Sequence, residues 1–233
     1  MNLLALDTST EVAGIALLEG DRVRFSLRLF HRMDLAARLF PALQWLMRDA
    51  GLSLADVHAL AAGLGPGSFT GVRLGVTTAK ILAQTAGLPV VGISSTHTMA
   101  AGLGCLTDAL VCPCLDARKQ EVYATLYRVR ECSLEELFPP QALPPTLLAA
   151  RLHALGETVW LCGTGALRYQ AQLSSQLGER FHYVPGHDFP DPAVLAHLAR
   201  ARLSRGEHVD PVLLKPVYAR VSEAERSLAR PAE

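Results

Sequence analysis

Twice along this chain, a short apolar run ends at an aspartate and is followed, after a polar turn, by a second apolar run. The first pair comprises residues 2–7 and 12–18, and the second comprises residues 110–115 and 121–128. Short apolar runs bounded by turn residues predict antiparallel strands joined by tight turns. The chain is therefore predicted to contain two lobes, each beginning with a strand, an aspartate turn and a second strand.

Helical patterns follow these strands. After a third strand, the apolar period becomes helical over residues 34–50 and again over 68–86, and a glycine ends each pattern. Strands joined by long helices add in parallel to a sheet. The N-terminal part thus reads βββαβαβα, which predicts an α/β fold with mixed sheets.

The same patterns predict the domain boundaries. We expect an N-terminal lobe over 1–104, a C-terminal lobe over 105–215 and a C-terminal tail over 216–233. Prolines between 139 and 145 predict an irregular connection after the hairpin of the second lobe. One helix is predicted over 166–177.

The composition limits the compartment and the partners. Lysine plus arginine and aspartate plus glutamate number 22 each, so the overall field does not attract nucleic acid, and contact with RNA would need a local patch or a basic partner. The N-terminal apolar run ends at Asp7 without a basic segment, which argues against a signal peptide or a membrane span. The five cysteines form no CxxC pair, so buried thiols in a reducing compartment are expected, with a thiol–metal site as the alternative. We therefore expect a cytoplasmic protein without membrane contact.

The most distinctive segment is rich in glycine and joins a strand to a helix. Gly63, Gly65 and Gly67 stand at alternate positions, and Ser68 can cap the helix that follows. Such a turn can direct free backbone N–H groups at an anion. It is neither a P-loop nor GxGxxG, because Thr70 occupies the third glycine position. The alternative is that these glycines only provide a tight turn and close helix packing.

The helix over 68–86 has two apolar faces, which predicts two packing partners. Small residues at Gly71, Gly75, Ala79 and Ala83 would let a neighbouring helix approach closely. Replacing Gly75 with leucine is expected to abolish a complex built on this face and to leave the fold intact.

The helix over 34–50 carries more than a core face. Its leucines are expected to face the core, whereas Trp45 and Pro41 lie among arginines on the far side. An exposed tryptophan beside arginines is typical of protein–protein interfaces. We hypothesise that both helices pair with the same elements of a partner; the alternative is that the second lobe or the tail covers them. The predicted partner-contact residues are Leu35, Arg38, Pro41, Trp45, Arg48, Phe69, Gly71, Val72, Gly75, Ala79 and Leu82.

Sequence motifs of hydrolytic enzymes are missing. The histidines form neither HExxH nor HxxxH, and no serine lies in a GxSxG turn, so no metal site is predicted. Asp7 and Asp116 each end the first strand of a lobe and are best placed for acid–base or metal chemistry. A turn-forming role is the alternative for both.

Four segments of the chain resemble the bacterial TsaB (YeaZ) family: LDTST at 6–10, GPGSFTG at 65–71, LDAR at 115–118 and PVYAR at 216–220. The glycine-rich run is highly specific, and the resemblance spans the whole chain. It implies the two-lobe actin/sugar-kinase/Hsp70 (ASKHA) fold, with βββαβα in each lobe. It also implies a role in forming N6-threonylcarbamoyladenosine, at the adenosine beside the anticodon of tRNA.

The resemblance further implies a non-catalytic scaffold subunit. In the family's pathway a TsaD-type subunit, which holds a metal through an HxxxH pair, transfers the threonylcarbamoyl group, and TsaB is its paralogue and heterodimer partner. A TsaE-type ATPase, contact with tRNA through the complex, and a homodimer when the chain is alone are implied as well. The alternatives are an autonomous ATPase or kinase of the actin-like fold, or a peptidase.

The family's fold normally binds nucleotide between its lobes, through a turn in each lobe and a glycine-rich adenosine loop. Here both turns lack the usual glycine, so their backbone cannot approach a phosphate as closely, and the adenosine loop is only partial. The residues of these degenerate elements are Asp7, Thr8, Ser9, Asp116, Gly163 and Gly165. We therefore expect no cofactor, and at most weak ATP or ADP binding within the complex.

Overall fold

The computed structural model of the chain describes residues 1–31, 34–131 and 133–220. The first part contains β1 (Asn2–Asp7), β2 (Val12–Glu19), β3 (Arg22–Phe30), α1 (Leu35–Asp49), β4 (Ala59–Gly63), α2 (Phe69–Ala86), β5 (Val90–Ile93) and α3 (Ser95–Ala101). The second part contains β6 (Leu110–Asp116), β7 (Val122–Arg130), β8 (Ser133–Leu143), α4 (Pro145–Ala154), β9 (Val159–Cys162), α5 (Thr164–Arg168), α6 (Gln170–Leu177), β10 (Phe181–Tyr183) and α7 (Pro192–Leu203).

Two sheets of identical topology form the two lobes. In the first, β1 is central, antiparallel to β2 and parallel to β4, in the order β3-β2-β1-β4-β5. In the second, β6 takes the same place, in the order β8-β7-β6-β9-β10. Tight turns make the antiparallel pairs, and a helix between strands returns the chain for a parallel pair. The predicted mixed α/β fold, with lobes that begin alike, is confirmed.

Helices α1 and α2 cover one face of the first sheet. Leu39 and Leu46 of α1 are fully buried, together with Val76 and Ala79 of α2, in one core beneath this face. The hydroxyl of Ser68 accepts a hydrogen bond at the start of α2, and a left-handed glycine ends the helix. None of the helices in the described part of the chain is long and apolar enough to cross a membrane.

The opposite face of the first sheet is covered by α7, which comes from the C-terminal part of the sequence. Leu195, Ala196 and Ala199 are fully buried in a second core formed with β1 and β2. After α7, Leu214 returns to the core beneath α1 and α2. The predicted boundary between residues 104 and 105 falls between the strands of the two sheets, and α7, within the predicted C-terminal lobe over 105–215, packs on the first sheet. The division into lobes and tail stays a prediction.

Three elements of the second lobe differ from the sequence prediction. The segment with Pro139 and Pro140 is not an irregular connection but part of β8, which pairs with β7 in an irregular register. β8 lies at the edge of its sheet, where prolines are tolerated because one side of the strand needs no partner. The helix predicted over 166–177 is divided at Tyr169 into α5 and α6, and the short β10 was not predicted.

Cysteines of the second sheet are buried. Cys112, Cys114 and Cys162 lie in its cores, and burial raises the pKa of the Cys112 thiol to about 12. Thiols in this state stay protonated and behave as small apolar groups. Cys105 is exposed, and Cys132 lies outside the described residues.

The segment over 214–220 connects the two lobes. The amide of Val217 donates a hydrogen bond to the Leu64 carbonyl (2.8 Å), and the amide of Ala142 in β8 donates one to the Ala219 carbonyl (3.1 Å). This part of the predicted tail is therefore held by both sheets.

Candidate functional site

The turn after β1 is fixed by a buried aspartate. Asp7 is 2% exposed, and its carboxylate accepts hydrogen bonds from the Ser9 amide (2.8 Å) and the Ser95 hydroxyl (2.6 Å). Burial raises the pKa of Asp7, and hydrogen bonds from the Ser9 and Ser95 side chains and from the Ser9 amide oppose the increase. Both carboxylate oxygens of Asp7 therefore accept hydrogen bonds from the protein itself. These bonds hold the turn after β1, as in the turn-forming alternative for this residue.

The glycine-rich run packs directly on this turn. Four glycines spaced four residues apart have no room for a side chain: Gly63, Gly67, Gly71 and Gly75. A Cβ atom added at any of them would lie 2.0–2.2 Å from an atom of Asp7, Thr8 or Ser9 in this turn. The Thr8 hydroxyl donates a hydrogen bond to the Gly71 carbonyl (2.7 Å), and the Ser68 amide donates one to the Ser9 carbonyl (2.7 Å). The glycines therefore allow α2 to pack closely against the turn. This agrees with the alternative that they serve helix packing, and not with a role of their backbone N–H groups in binding an anion.

This packing corrects part of the predicted partner interface. Gly71, Val72, Gly75 and Ala79 are buried and face the chain's own turn and core, and Leu35 is buried as well. A leucine at Gly75 would collide with Thr8, so the expectation that this substitution leaves the fold intact is wrong. The small residues accommodate β1 and its turn, not the helix of a partner.

Apart from Phe69, which packs against Tyr218 of the C-terminal segment and lines the cleft, the remaining predicted interface residues lie on the outer side of α1 and α2. Arg38, Pro41, Trp45, Arg48 and Phe69 are exposed, and Leu82 is half-buried. Trp45 is 53% exposed and meets the Phe25 ring edge-on, with 6.2 Å between ring centroids. Phe40 and Ile81, which were not among the predicted contacts, are exposed on the same two helices. The partner interface itself stays a prediction for these residues.

The turn after β6 repeats the geometry with different chemistry. The Asp116 carboxylate accepts hydrogen bonds from the Arg118 amide (3.0 Å) and the Arg168 guanidinium (2.7 Å). A Cβ atom at Gly163, where φ is +102°, would lie 2.4 Å from the Cys114 carbonyl. The predicted adenosine-loop glycines thus pack on the end of β6, as Gly63 packs on the end of β1.

A cleft of about 480 Å³ lies between the two turns. Its walls include Ser9, His31 and Ser68 from the first lobe, Asp116 and Thr164 from the second, and Arg220 from the C-terminal segment. Asp7, Thr8, Gly163 and Gly165 lie behind these walls and do not line the cleft.

Sequence reasoning did not identify several residues of this cleft, among them His31 and Arg220. His31 follows β3 without any motif around it, and Arg220 was noted only as part of the PVYAR segment. In the described residues, no group of three or more His, Cys, Asp or Glu side chains is arranged to hold a metal ion.

Comparison with known proteins identifies relatives of this two-lobe chain. The family model described as TsaD, tRNA N6-adenosine threonylcarbamoyltransferase, matches residues 33–158. The tRNA threonylcarbamoyladenosine biosynthesis protein TsaB of Bacillus subtilis is 34% identical, over 97% of this chain and 96% of its own. The chain belongs to the TsaB family. Members of this family are named for tRNA threonylcarbamoyladenosine biosynthesis, as the resemblance predicted.

Solved structures confirm the TsaB family and its fold. YeaZ from Pseudomonas aeruginosa superposes with a TM-score of 0.80 at 32% identity, covering 93% of this chain and 99% of that one. The ROK hexokinase of Thermus thermophilus superposes with a TM-score of 0.51 at 14% identity, covering 87% of this chain and 100% of its own, which shows a shared fold alone. The predicted relation to sugar kinases is thus confirmed at the level of the fold.

Proposed function

We propose that this chain is a non-catalytic subunit for N6-threonylcarbamoylation of tRNA, and that it binds and stabilises a TsaD-type transferase subunit. The observation that carries the proposal is the outer side of α1 and α2, where Trp45, Phe40 and Ile81 remain about half exposed on the described chain. An exposed tryptophan beside an arginine of the same helix, as with Trp45 and Arg48 on α1, is what a protein partner buries. The family names supply the pathway.

The two aspartates support a non-catalytic role. Both oxygens of Asp7 are used to hold a turn, and Asp116 is held by an arginine and a backbone amide. A general base must come within hydrogen-bond reach of the reacting group, and Asp7 is 2% exposed and does not line the cleft. Asp116 does line the cleft, but its charge is paired with Arg118 and Arg168, and both features favour a scaffold over an autonomous kinase, ATPase or peptidase.

The proposal extends to the assembly. We propose that the chain acts in the cytoplasm, requires no cofactor of its own, contacts tRNA only through the complex, and works with a TsaE-type ATPase. In the absence of the transferase subunit, the same outer side of α1 and α2 would pair with a second copy, because an apolar surface often self-associates.

Substitution of Trp45 tests the proposal. Trp45→Glu should weaken binding of the TsaD-type subunit at least about tenfold, since charge is placed in an apolar contact. Leu147→Glu is the matched control, because Leu147 is 44% exposed on α4 of the other lobe. Complex mass would be followed by light scattering, and modified tRNA by nucleoside analysis of a reconstituted reaction.

Two results would contradict the proposal. One is full binding and full tRNA modification with Trp45→Glu at an unchanged melting temperature. The other is ATP hydrolysis or phosphoryl transfer by the purified chain alone, which would favour the autonomous enzyme.

A further inference from the structure

Two connections between the lobes lie outside the cleft. The chain crosses from the end of α3 to β6 through residues 102–109, and it returns from β10 to α7 on the first sheet through residues 184–191. None of the described residues of these two crossings lines the cleft. Lobes that are joined only at such crossings can open and close about them, because a few connecting residues absorb the change in backbone angles.

A third connection reaches both lobes at the cleft itself. It comprises residues 214–220, here called the strap. Leu214 at its start lies in the core beneath α1 and α2, and Arg220 at its end lines the cleft together with Tyr123 of the second lobe. Because separating lobes move farthest at points distant from the pivot, a restraint placed away from the two crossings limits their opening most effectively.

The first-lobe end of the strap is held by burial and by hydrogen bonds. The Leu214 side chain is 3% exposed. The Val217 amide donates a hydrogen bond to the Leu64 carbonyl (2.8 Å), and the Tyr218 hydroxyl accepts one from Nε of Arg73 on α2 (2.9 Å). Detaching this end would expose a buried leucine to water and break these hydrogen bonds together.

The second-lobe end of the strap has weaker attachments. The Ala142 amide of β8 donates a hydrogen bond to the Ala219 carbonyl (3.1 Å), and Arg220 forms an ion pair with Glu121. The two side chains of this pair are 15% and 26% exposed, so water and salt weaken their attraction. Neither Ala219 nor Arg220 belongs to the buried cores of the second sheet. This end can therefore detach without exposing a core residue.

We propose that the strap holds the two lobes at one separation and that it releases them at one end only. Release detaches residues 219–220 from the second lobe, while residues 214–218 stay on the first lobe because burial holds that end more firmly. The width of the cleft is thus set by the chain's own C-terminal segment, and release of the strap lets the lobes move about the two crossings. This inference does not depend on the proposed scaffold role.

Hydrogen exchange of the unaltered full chain tests the difference between the two ends. The amides of Ala142 and Val217 report on the second-lobe end and the first-lobe end, since each donates one of the backbone hydrogen bonds that hold the strap. We expect the protection factor of the Ala142 amide to be at least about tenfold lower than that of Val217, because Ala142 loses its acceptor whenever the strap is released. Equal protection of the two amides, or lower protection at Val217, would overturn the inference.

Distances between spin labels test whether the strap fixes the separation of the lobes. Ser26 on β3, the edge strand of the first sheet, and Ala150 on α4 of the second lobe are exposed and suit Ser26→Cys and Ala150→Cys for labelling. The labelled chain would also carry Cys105→Ser and Cys132→Ser, and an excess of unlabelled chain suppresses distances between copies. With the strap intact, we expect a single narrow distribution of distances.

Breaking the ion pair of the strap should change this distribution. Arg220→Gln and Glu121→Gln should each broaden it and move its mean by about 2 Å or more. The double variant should match either single variant, because all three lack the same pair. Arg128→Gln is the matched control, since it removes an ion pair with Glu157 inside the second lobe and should leave the distances unchanged. A melting curve accompanies each variant, and hydrogen exchange of the unaltered chain decides if one does not fold. Unchanged distances in both strap variants, or an equal change in the control, would contradict the proposal.

Discussion

The turn after β1 and the turn after β6 occupy the same place in two sheets of the same topology, yet their aspartates are held differently. Asp7 is fully enclosed and meets an amide and a hydroxyl, whereas the Asp116 side chain is 12% exposed and meets arginines. Glycines after the fourth strand of each sheet make the same close approach. Repeated topology thus fixes the backbone, and burial decides which partners each carboxylate receives.

This difference gives the cleft two unlike walls. The first lobe supplies a turn sealed by α2, and the buried residues Ser9 and His31 line the cleft on this side. The second lobe supplies a charged surface in which Asp116 is already neutralised. The cleft therefore has one wall formed by buried polar residues and a more solvated wall with balanced charge.

The largest effect is expected from filling the close contact of the first turn. Gly71→Ala places a Cβ atom 2.2 Å from the Thr8 carbonyl, and backbone must move, so we expect a loss of about 3 kcal/mol or more in the free energy of unfolding. Gly165→Ala, with a nearest contact of 2.8 Å to Leu115, should cost less. Urea denaturation measures both. Gly102→Ala is the control, because the nearest atom to its added Cβ lies 3.3 Å away. An equal loss of stability in this variant would show that close packing does not explain the effect.

The second effect separates the two aspartates directly. Asp7→Ala leaves the Ser95 hydroxyl and the Ser9 amide buried without an acceptor, at a cost of about 2 kcal/mol or more. Asp116→Ala leaves partners that water can reach, and should cost about 1 kcal/mol or less. Thermal unfolding of the two variants tests the order, and equal losses would show that the turns are energetically equivalent.

The third effect depends on pH. Because the pKa of Asp7 is raised in the folded state, the folded chain binds this proton more tightly than the unfolded chain. Asp7 therefore lowers stability as the pH rises from the ordinary value of 3.8 through its folded pKa, and this contribution is absent below that range. In Asp7→Asn the group does not titrate, so the stability of the variant relative to the native chain should rise across this window, by at most about 1.4 kcal/mol per pH unit. Denaturation at a series of pH values measures this difference. A difference that is constant or falls with pH would contradict the raised pKa.

The smallest effect is expected at the arginine of the second turn. Arg168 is 53% exposed, and an exposed ion pair contributes little. Arg168→Gln should change the free energy of unfolding by less than about 1 kcal/mol, as measured in urea. A loss as large as that of Asp7→Ala would mean that the second turn depends on its arginine as the first depends on burial.

Part of the fold and of the site followed from local pattern. The strands around each aspartate, the helices at 34–50 and 68–86, and the GPGSFTG run are contiguous features, so periodicity and motif predicted them and the family. Ser9 and Asp116 were named as candidates and do line the cleft. His31 and Arg220 could not be placed there, because their approach joins segments that are far apart in sequence.

The sequence by itself determined the family and the order of strands and helices in the first lobe, because hydrophobic period and turn chemistry act over a few residues. Tertiary structure decided what the glycine face of α2 packs against. Gly71 and Gly75 suited a partner helix on a wheel, yet they receive Thr8, because the β1–β2 turn reaches them only in the folded sheet. It also brought α7 back to the first sheet and Arg220 to the cleft, since long-range packing depends on which apolar surfaces remain uncovered after the local elements have formed.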